Sequence, residues 1–245
     1  MLSKRLIKYF KSLQLKKYRH QEHKFIVEGA KGVEEALKSD FVIDYLLITT
    51  AYEQVLSPEL LKKANEVIVV KESDLKSVGT FQTNRDGLAV VCMREAFPFK
   101  VKEDKLILAL DDVRDPGNLG TIIRIADWYG IDTILCSSES ADFYNPKVIN
   151  ASMGSFCRVK VYYDQLDSVL EACDLPVYGA LLSGKSIYET PLKSSGIILM
   201  GNESQGIAER LEKYITHPVH IPRRGGAESL NVAIATAVIL DNFFR

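Results

Sequence analysis

Residues Ser195–Ile207, SGIILMGNESQGI, run from an apolar strand into a polar turn that holds Gly201 and Gly206. His217–Asn231, HPVHIPRRGGAESLN, repeats that plan with a short strand and a loop rich in Gly and Arg. Val232–Phe244, VAIATAVILDNFF, reads as a long apolar helix. The loops after Met200 and Ile221 follow expected parallel strands at their carboxyl ends, where open α/β sheets bind ligands. Gly201, Gly206, Gly225 and Gly226 allow close backbone approach. Asn202, Glu203, Ser229 and Asn231 supply hydrogen-bonding groups there rather than packing groups. Ser229 or Glu228 is expected to cap the last helix, with Leu230, Ala233, Ile234, Ala237 and Val238 as its apolar face.

Working upstream, Leu106–Leu110, LILAL, is a continuous apolar run typical of a buried parallel strand. The loop DDVRDPGNLG follows, and Asn118 or a residue before it can cap a helix with apolar positions Ile122, Ile123, Ile125, Ala126 and Trp128. Strands are expected at Ile131–Cys136, Val159–Tyr162, Val177–Leu182 and Ile197–Met200. Asp142–Asn150 reads as a loop, Ala151–Phe156 as a short helix and Leu166–Ala172 as a helix. This βαβα alternation predicts a mainly parallel sheet covered by helices. The first 95 residues alternate too: strands near Phe25–Glu28, Asp44–Ile48, Val67–Val70 and Gly87–Met93, helices near 2–12, Lys31–Lys38 and Glu59–Ala64. They predict a small α/β domain. Arg94–Asp104, REAFPFKVKED, has no clear period and reads as linker, so the predicted division is 1–95, linker 96–104 and 105–245.

The net charge is −1 over 245 residues, but its distribution is uneven. Residues 1–24 hold Lys4, Arg5, Lys8, Lys11, Lys16, Lys17, Arg19 and Lys24 against the single acid Glu22, a balance of +7. Such a terminus on an acidic body suits phosphate, or is a solvated helix face. Cys92, Cys136, Cys157 and Cys173 are widely spaced, without a C-x-x-C, and read as core thiols of a reducing compartment. His20 and His23 lack companions for a metal site. No apolar run is long enough to span a membrane, which points to the cytoplasm. A phosphate loop, or an acid downstream of a glycine fingerprint, would mark another nucleotide-binding enzyme, and neither is present.

GNESQGI and IPRRGGAESLNVAIA resemble the second and third motifs of the SpoU-type RNA 2'-O-ribose methyltransferases of the SPOUT superfamily. DDVRDPGNLGTIIRIADWYG, Asp111–Gly130, resembles the first motif in the expected upstream place. FIVEGAKGVEEAL, with Glu28, Gly29, Gly32 and Glu34, and QTNRDGLAVV, Gln82–Val91, resemble the RNA-binding domain that precedes many such catalytic domains. The resemblance implies a C-terminal parallel-sheet SPOUT domain with a trefoil knot around the cofactor, preceded by a small α/β RNA-binding domain. It implies S-adenosylmethionine as cofactor, no metal, a homodimer, and RNA rather than DNA or membrane as partner. By family analogy ribosomal RNA is expected. Alternatives are a tRNA 2'-O-methyltransferase or a non-catalytic RNA-binding protein on the same scaffold.

Carried over residue by residue, the catalytic set is Arg124, Asn118, Glu203, Ser229 and Asn231. The cofactor set is Leu181, Met200, Gly201, Ile221, Ser229, Leu230 and Asn231. Arg124 either pairs with an acid such as Glu203 or acts on the RNA. The matching family arginine has been proposed as a base, but an unperturbed guanidinium is a poor one. Stabilising the developing alkoxide and orienting the phosphate suits it better. Two departures stand out: Ser204 replaces a usual Gly, and Arg223-Arg224 replace a more apolar stretch. Deleting residues 1–95 is expected to spare cofactor binding and abolish RNA affinity.

Overall fold

The computed structural model describes residues 2–81, 83–95 and 98–245. Gln82 of the motif match, and residues 96 and 97 at the start of the expected linker, lie outside the described residues. The chain forms two compact units. One comprises Met1–Ala96 with Asp142–Cys157, the other Phe97–Ala141 with Arg158–Arg245.

In the first unit, α1 (Lys4–Ser12) and α2 (Lys16–Glu22) precede β1 (Lys24–Glu28) and α3 (Ala30–Lys38). Then come β2 (Ile43–Ile48), α4 (Thr50–Glu53), α5 (Pro58–Leu61), β3 (Ala64–Val69), α6 (Glu72–Val78) and β4 (Gly87–Cys92). The sheet order is β1-β4-β2-β3, with β4 antiparallel to both neighbours and β2 parallel to β3. Three local expectations are corrected. Helix α2 forms over the polar residues Lys16–Glu22, where no helix was expected, and is ended by His23 at φ 52°. The helix expected over Glu59–Ala64 stops at Leu61, because Ala64 already pairs with Ile43 in the sheet. Helices α4 and α6 are additional to the expected elements; Thr49 caps the first, accepting from Tyr52 N.

Arg19 of α2 is only 2% exposed. A buried guanidinium needs partners. It ion-pairs with Asp142 and donates to the carbonyls of Leu13 and Gln14 at 3.3 and 2.8 Å. Asp142 belongs to the segment Asp142–Cys157, which carries α8 (Pro146–Ala151) and a short 3₁₀ turn, Ser155–Cys157. The helix therefore lies earlier than the expected Ala151–Phe156, started by Asn145, whose side chain accepts from Lys147 N. Phe25 packs against Tyr144 and Phe156, with ring centroids 4.8 and 6.1 Å apart. At the far end Arg94 donates to the Cys157 carbonyl at 2.9 Å and lies over the Phe41 ring.

The second unit begins with β5 (Leu106–Leu110), α7 (Pro116–Trp128), β6 (Thr133–Cys136) and β7 (Lys160–Tyr163). It continues with α9 (Leu166–Glu171), β8 (Val177–Ser186), β9 (Gly196–Met200), α10 (Glu209–Glu212), β10 (His217–His220) and α11 (Val232–Phe243). The six strands are all parallel, in the order β10-β8-β9-β5-β6-β7. That agrees with the predicted α/β class. The wholly buried runs LILAL, TILC and GIILM form β5, β6 and β9 in its interior. Cys136 sits in this core, and burial pushes its thiol pKa up.

Asp115 caps α7, accepting from Asn118 N at 2.8 Å, with Pro116 in the first turn. Its buried face is Leu119, Ile122, Ile123 and Ala126, whereas Trp128, expected on that face, is 84% exposed. On α11 the buried residues are Val232, Ala233, Thr236, Ile239 and Leu240. That stripe is rotated from the expected one, which leaves Ile234 52% and Leu230 49% exposed. Phe243 packs edge-on against Tyr178, while Phe244 is 52% exposed and stacks on Tyr129. Among the described residues no helix is long and apolar enough to cross a membrane, and no three His, Cys, Asp or Glu side chains cluster as a metal site.

Candidate functional site

Strand β9 delivers Met200 at its carboxyl end, and the chain then turns sharply. Gly201 faces Gly206 so closely that a Cβ would collide with the Gly206 carbonyl carbon. Asn202 bridges Gly206, and its Oδ1 accepts from Ser204 N and Gln205 N at 2.8 and 3.2 Å. The positive φ of this turn falls on Gly206, at 72°, and not on Ser204. That is why a serine fits where the resemblance led one to expect glycine. Gly201→Ala is expected to force the turn apart, lowering the melting temperature by several degrees and weakening cofactor binding at least tenfold. Calorimetry and a thermal melt check this; an unchanged melt would show that the turn yields.

The same turn is tied to the loop after β5. Asn202 Nδ2 donates to the Asp112 carbonyl at 2.8 Å, and the 3% exposed Asp111 accepts from Ala208 N at 2.8 Å. Asp112 adopts φ 57°, which a short polar side chain tolerates. Beside this anchor, Asn118 Nδ2 donates to Glu203 Oε1 at 2.7 Å, and Asn231 Nδ2 donates to Asn118 Oδ1 at 2.9 Å. Asn231 also caps α11, accepting from Ala233 N and Ile234 N at 3.0 and 3.3 Å. The helix cap is therefore Asn231, not the expected Ser229 or Glu228. Three segments distant in sequence thus meet in one hydrogen-bonded row, Asn231–Asn118–Glu203.

The row flanks a cavity of about 1070 Å³ at the carboxyl ends of β8, β9 and β10. Leu181, Met200, Gly201, Ile221, Ser229 and Leu230 all line it, and Asn231 stands next to it in the chain without lining it. Glu203 reaches both the row and the cavity. Part of the wall is not visible in the sequence. Strand β8 pairs Gly179 with Pro218 and Lys185 with Val219, so five of its residues are squeezed out opposite none. Ala180, Leu182 and Ser183 of that excursion join the expected Leu181 in lining the cavity, with Leu182 83% exposed. Gly184 closes it, since a Cβ there would meet Pro218 C at 2.6 Å. The glycine in LLSGKS is the only signal.

Ser229 is exposed, as is the whole loop Arg223–Asn231. Arg223 donates to the Ala227 carbonyl at 3.1 Å, while Arg224 reaches the cavity rim. Arg124 is exposed on α7, and its guanidinium forms no ion pair or hydrogen bond among the described residues. The expected alternative partner, Glu203, takes Asn118 instead. Arg124 is not among the cavity-lining residues.

A cavity at the carboxyl ends of parallel strands, walled by glycine turns and edged by a fixed amide–carboxylate row, is where an α/β protein of this kind takes its ligand. Residues 105–241 match the SpoU rRNA Methylase family, and residues 4–89 match the MRM3-like substrate binding domain. The chain therefore belongs to the SpoU rRNA methylase family. It is 33% identical to the 23S rRNA (guanosine(2553)-2'-O)-methyltransferase RlmP of Bacillus subtilis, over 96% of this chain and 94% of that one. Among solved structures it superposes on a putative TrmH-family RNA methyltransferase of Porphyromonas gingivalis with TM-score 0.86, 38% identity and coverage of 99% and 98%. An AdoMet-bound rRNA methyltransferase of Sinorhizobium meliloti gives TM-score 0.85, 29% identity and coverage of 99% and 95%.

Proposed function

We propose that this protein moves a methyl group from S-adenosylmethionine to a ribose 2'-hydroxyl of ribosomal RNA. The observation that carries the reading is the Asn231–Asn118–Glu203 row fixed beside the cavity. The relatives' names support it, being those of a 23S rRNA 2'-O-methyltransferase and an AdoMet-bound rRNA methyltransferase. The cavity suits the cofactor: its size accommodates a nucleoside, Leu181, Met200, Ile221 and Leu230 offer apolar walls, and Gly201 permits backbone approach. S-adenosylmethionine supplies an electrophilic methyl when bound. The protein's own work is then to hold the ribose in line and to ease loss of the hydroxyl proton to solvent as its oxygen takes the methyl and the donor's thioether is left behind.

Glu203, with one oxygen committed to Asn118, and Asn231 orient the ribose edge; Ser229 offers a hydroxyl from the exposed loop beside them. Arg124, free of any acid partner among the described residues, orients the phosphate and stabilises the developing oxyanion. Residues 105–141 and 158–245 form the methyltransferase domain, with the family's trefoil knot around the cofactor loops, and 1–95 with Asp142–Cys157 the RNA-binding domain. The protein acts in the cytoplasm. It works as a homodimer, for which the exposed Ile234, Trp128 and Phe244 supply an apolar surface. Light scattering at micromolar concentration is expected to give twice the chain mass; a monomer would remove the dimer from this reading. Mapping ribose methylation across total RNA with and without the gene tests the activity. One missing 2'-O-methyl in ribosomal RNA, restored by purified protein and cofactor, is expected. Loss confined to tRNA, or no loss, would overturn the ribosomal assignment.

A further inference from the structure

We propose that the segment carrying α1 and α2 is the surface that grips the phosphodiester backbone of the substrate RNA, an inference that rests on the methyltransferase reading above. The sequence shows eight basic residues before residue 25 but not which of them are available. Two are taken: Arg19 by Asp142 inside the first unit, and Lys24 by Asp44 at its surface. The other six, Lys4, Arg5, Lys8, Lys11, Lys16 and Lys17, are all exposed, and none forms an ion pair among the described residues. Lys4, Lys8 and Lys11 follow the i, i+4, i+7 spacing of one helical face. They spread positive charge along about 10 Å of helix.

The segment that carries them is fixed. Gln14, in the turn between the helices, donates to the Val78 and Gly79 carbonyls at 2.9 and 3.1 Å. Arg19 holds the same turn through the Leu13 and Gln14 carbonyls. Phe10 and Leu13 are fully buried beneath it, with Leu6 and Ile7 packed on the same core. The cations are therefore presented on an ordered platform, so little chain entropy is lost when they meet phosphates. The packing also decides the class of partner. A basic helix that lies on a lipid surface needs a free apolar face, and this one has committed its apolar face to the core. A nucleic-acid backbone needs only the charge and its spacing.

The test uses the full chain with Lys4, Lys8, Lys11, Lys16 and Lys17 all changed to Gln, leaving Arg5, Arg19 and Lys24 in place. RNA affinity, methylation kinetics and cofactor affinity are measured across a salt series. The plot of log affinity against log salt is expected to flatten by about 0.7–0.9 for each phosphate that the variant no longer neutralises. KM for RNA is expected to rise at least tenfold at physiological salt, with kcat at saturating RNA and cofactor affinity unchanged. The gap from wild type should narrow as salt rises, whereas a misfolded variant would show a deficit that salt does not alter. An unchanged slope and KM, with the wild type active, overturns the surface and leaves the methyltransferase reading intact. The flattened slope with no methyl transfer by the wild type keeps the surface and overturns that reading. Vesicles rich in phosphatidylserine form the control arm: if the substitutions abolish binding to them and leave RNA affinity untouched, the partner is a membrane and the proposal fails.

Discussion

Arg124→Ala is expected to lower single-turnover methylation at least about a hundredfold while leaving S-adenosylmethionine affinity and the melting temperature unchanged. A hundredfold is about 2.7 kcal/mol of transition-state stabilisation, in the range expected when one charge-stabilising group is removed. Three observations separate this outcome from a structural role. Arg124 is exposed, so its removal opens no cavity. It holds no acid among the described residues, and Glu203 is already engaged by Asn118, so no orphaned carboxylate is left behind. It does not line the cavity, so the cofactor walls persist. Arg124→Lys keeps the charge but loses the planar fork that spans a phosphate and a ribose oxygen, and is expected to be nearly as inactive. Calorimetry for the cofactor and rapid-quench methylation on both variants supply the readouts. Near-normal turnover by Arg124→Ala would take Arg124 out of the mechanism; loss of cofactor affinity would make it structural.

What the sequence reveals here depends on how local the physical cause is. The polar residues of the three motifs are legible because each sits in a turn whose composition packing alone does not demand. The sequence does not show that Asn202, rather than a site residue, fastens the β9 turn to Asp112. Nor does it show which face of α11 is buried. That helix is apolar nearly all round, so periodicity offers several equivalent stripes and the neighbouring packing chooses among them. Arg19 is hidden for a different reason. Its partner, Asp142, is 123 residues away, and a buried cation cannot be told from a solvated one until that partner is placed. The excursion of β8 is equally invisible, because register against β10 is a property of two strands and only Gly184 hints at it.

The placement of Asp142–Cys157 reverses one expectation from the sequence and yields the second large effect. The chain leaves the parallel sheet after β6, contributes this segment to the first unit, and returns as β7. A chain lacking residues 1–95 is therefore expected to fail as a soluble cofactor-binding domain. Phe143, Val148, Ile149 and Phe156 are buried, at 6%, 0%, 1% and 0% exposure. The segment packs on β1 and on the Phe25 and Phe41 rings, which the truncation removes. Exposing a side chain of this kind costs about 1.5–3 kcal/mol. Four of them approach the whole stability of a typical domain, about 5–15 kcal/mol. Asp142 would also lose Arg19, and the Cys157 carbonyl would lose Arg94. The loss of RNA affinity in such a truncation would then report unfolding as much as a missing RNA surface, so the charge-neutralised full chain is the cleaner dissection. Circular dichroism melts and cofactor calorimetry on residues 96–245 decide the matter. Aggregation, or a melt shifted down by ten degrees or more with weakened cofactor binding, is expected. A cooperative melt within a few degrees of the full chain, with unaltered cofactor affinity, would show that the sheet closes without the segment's partners.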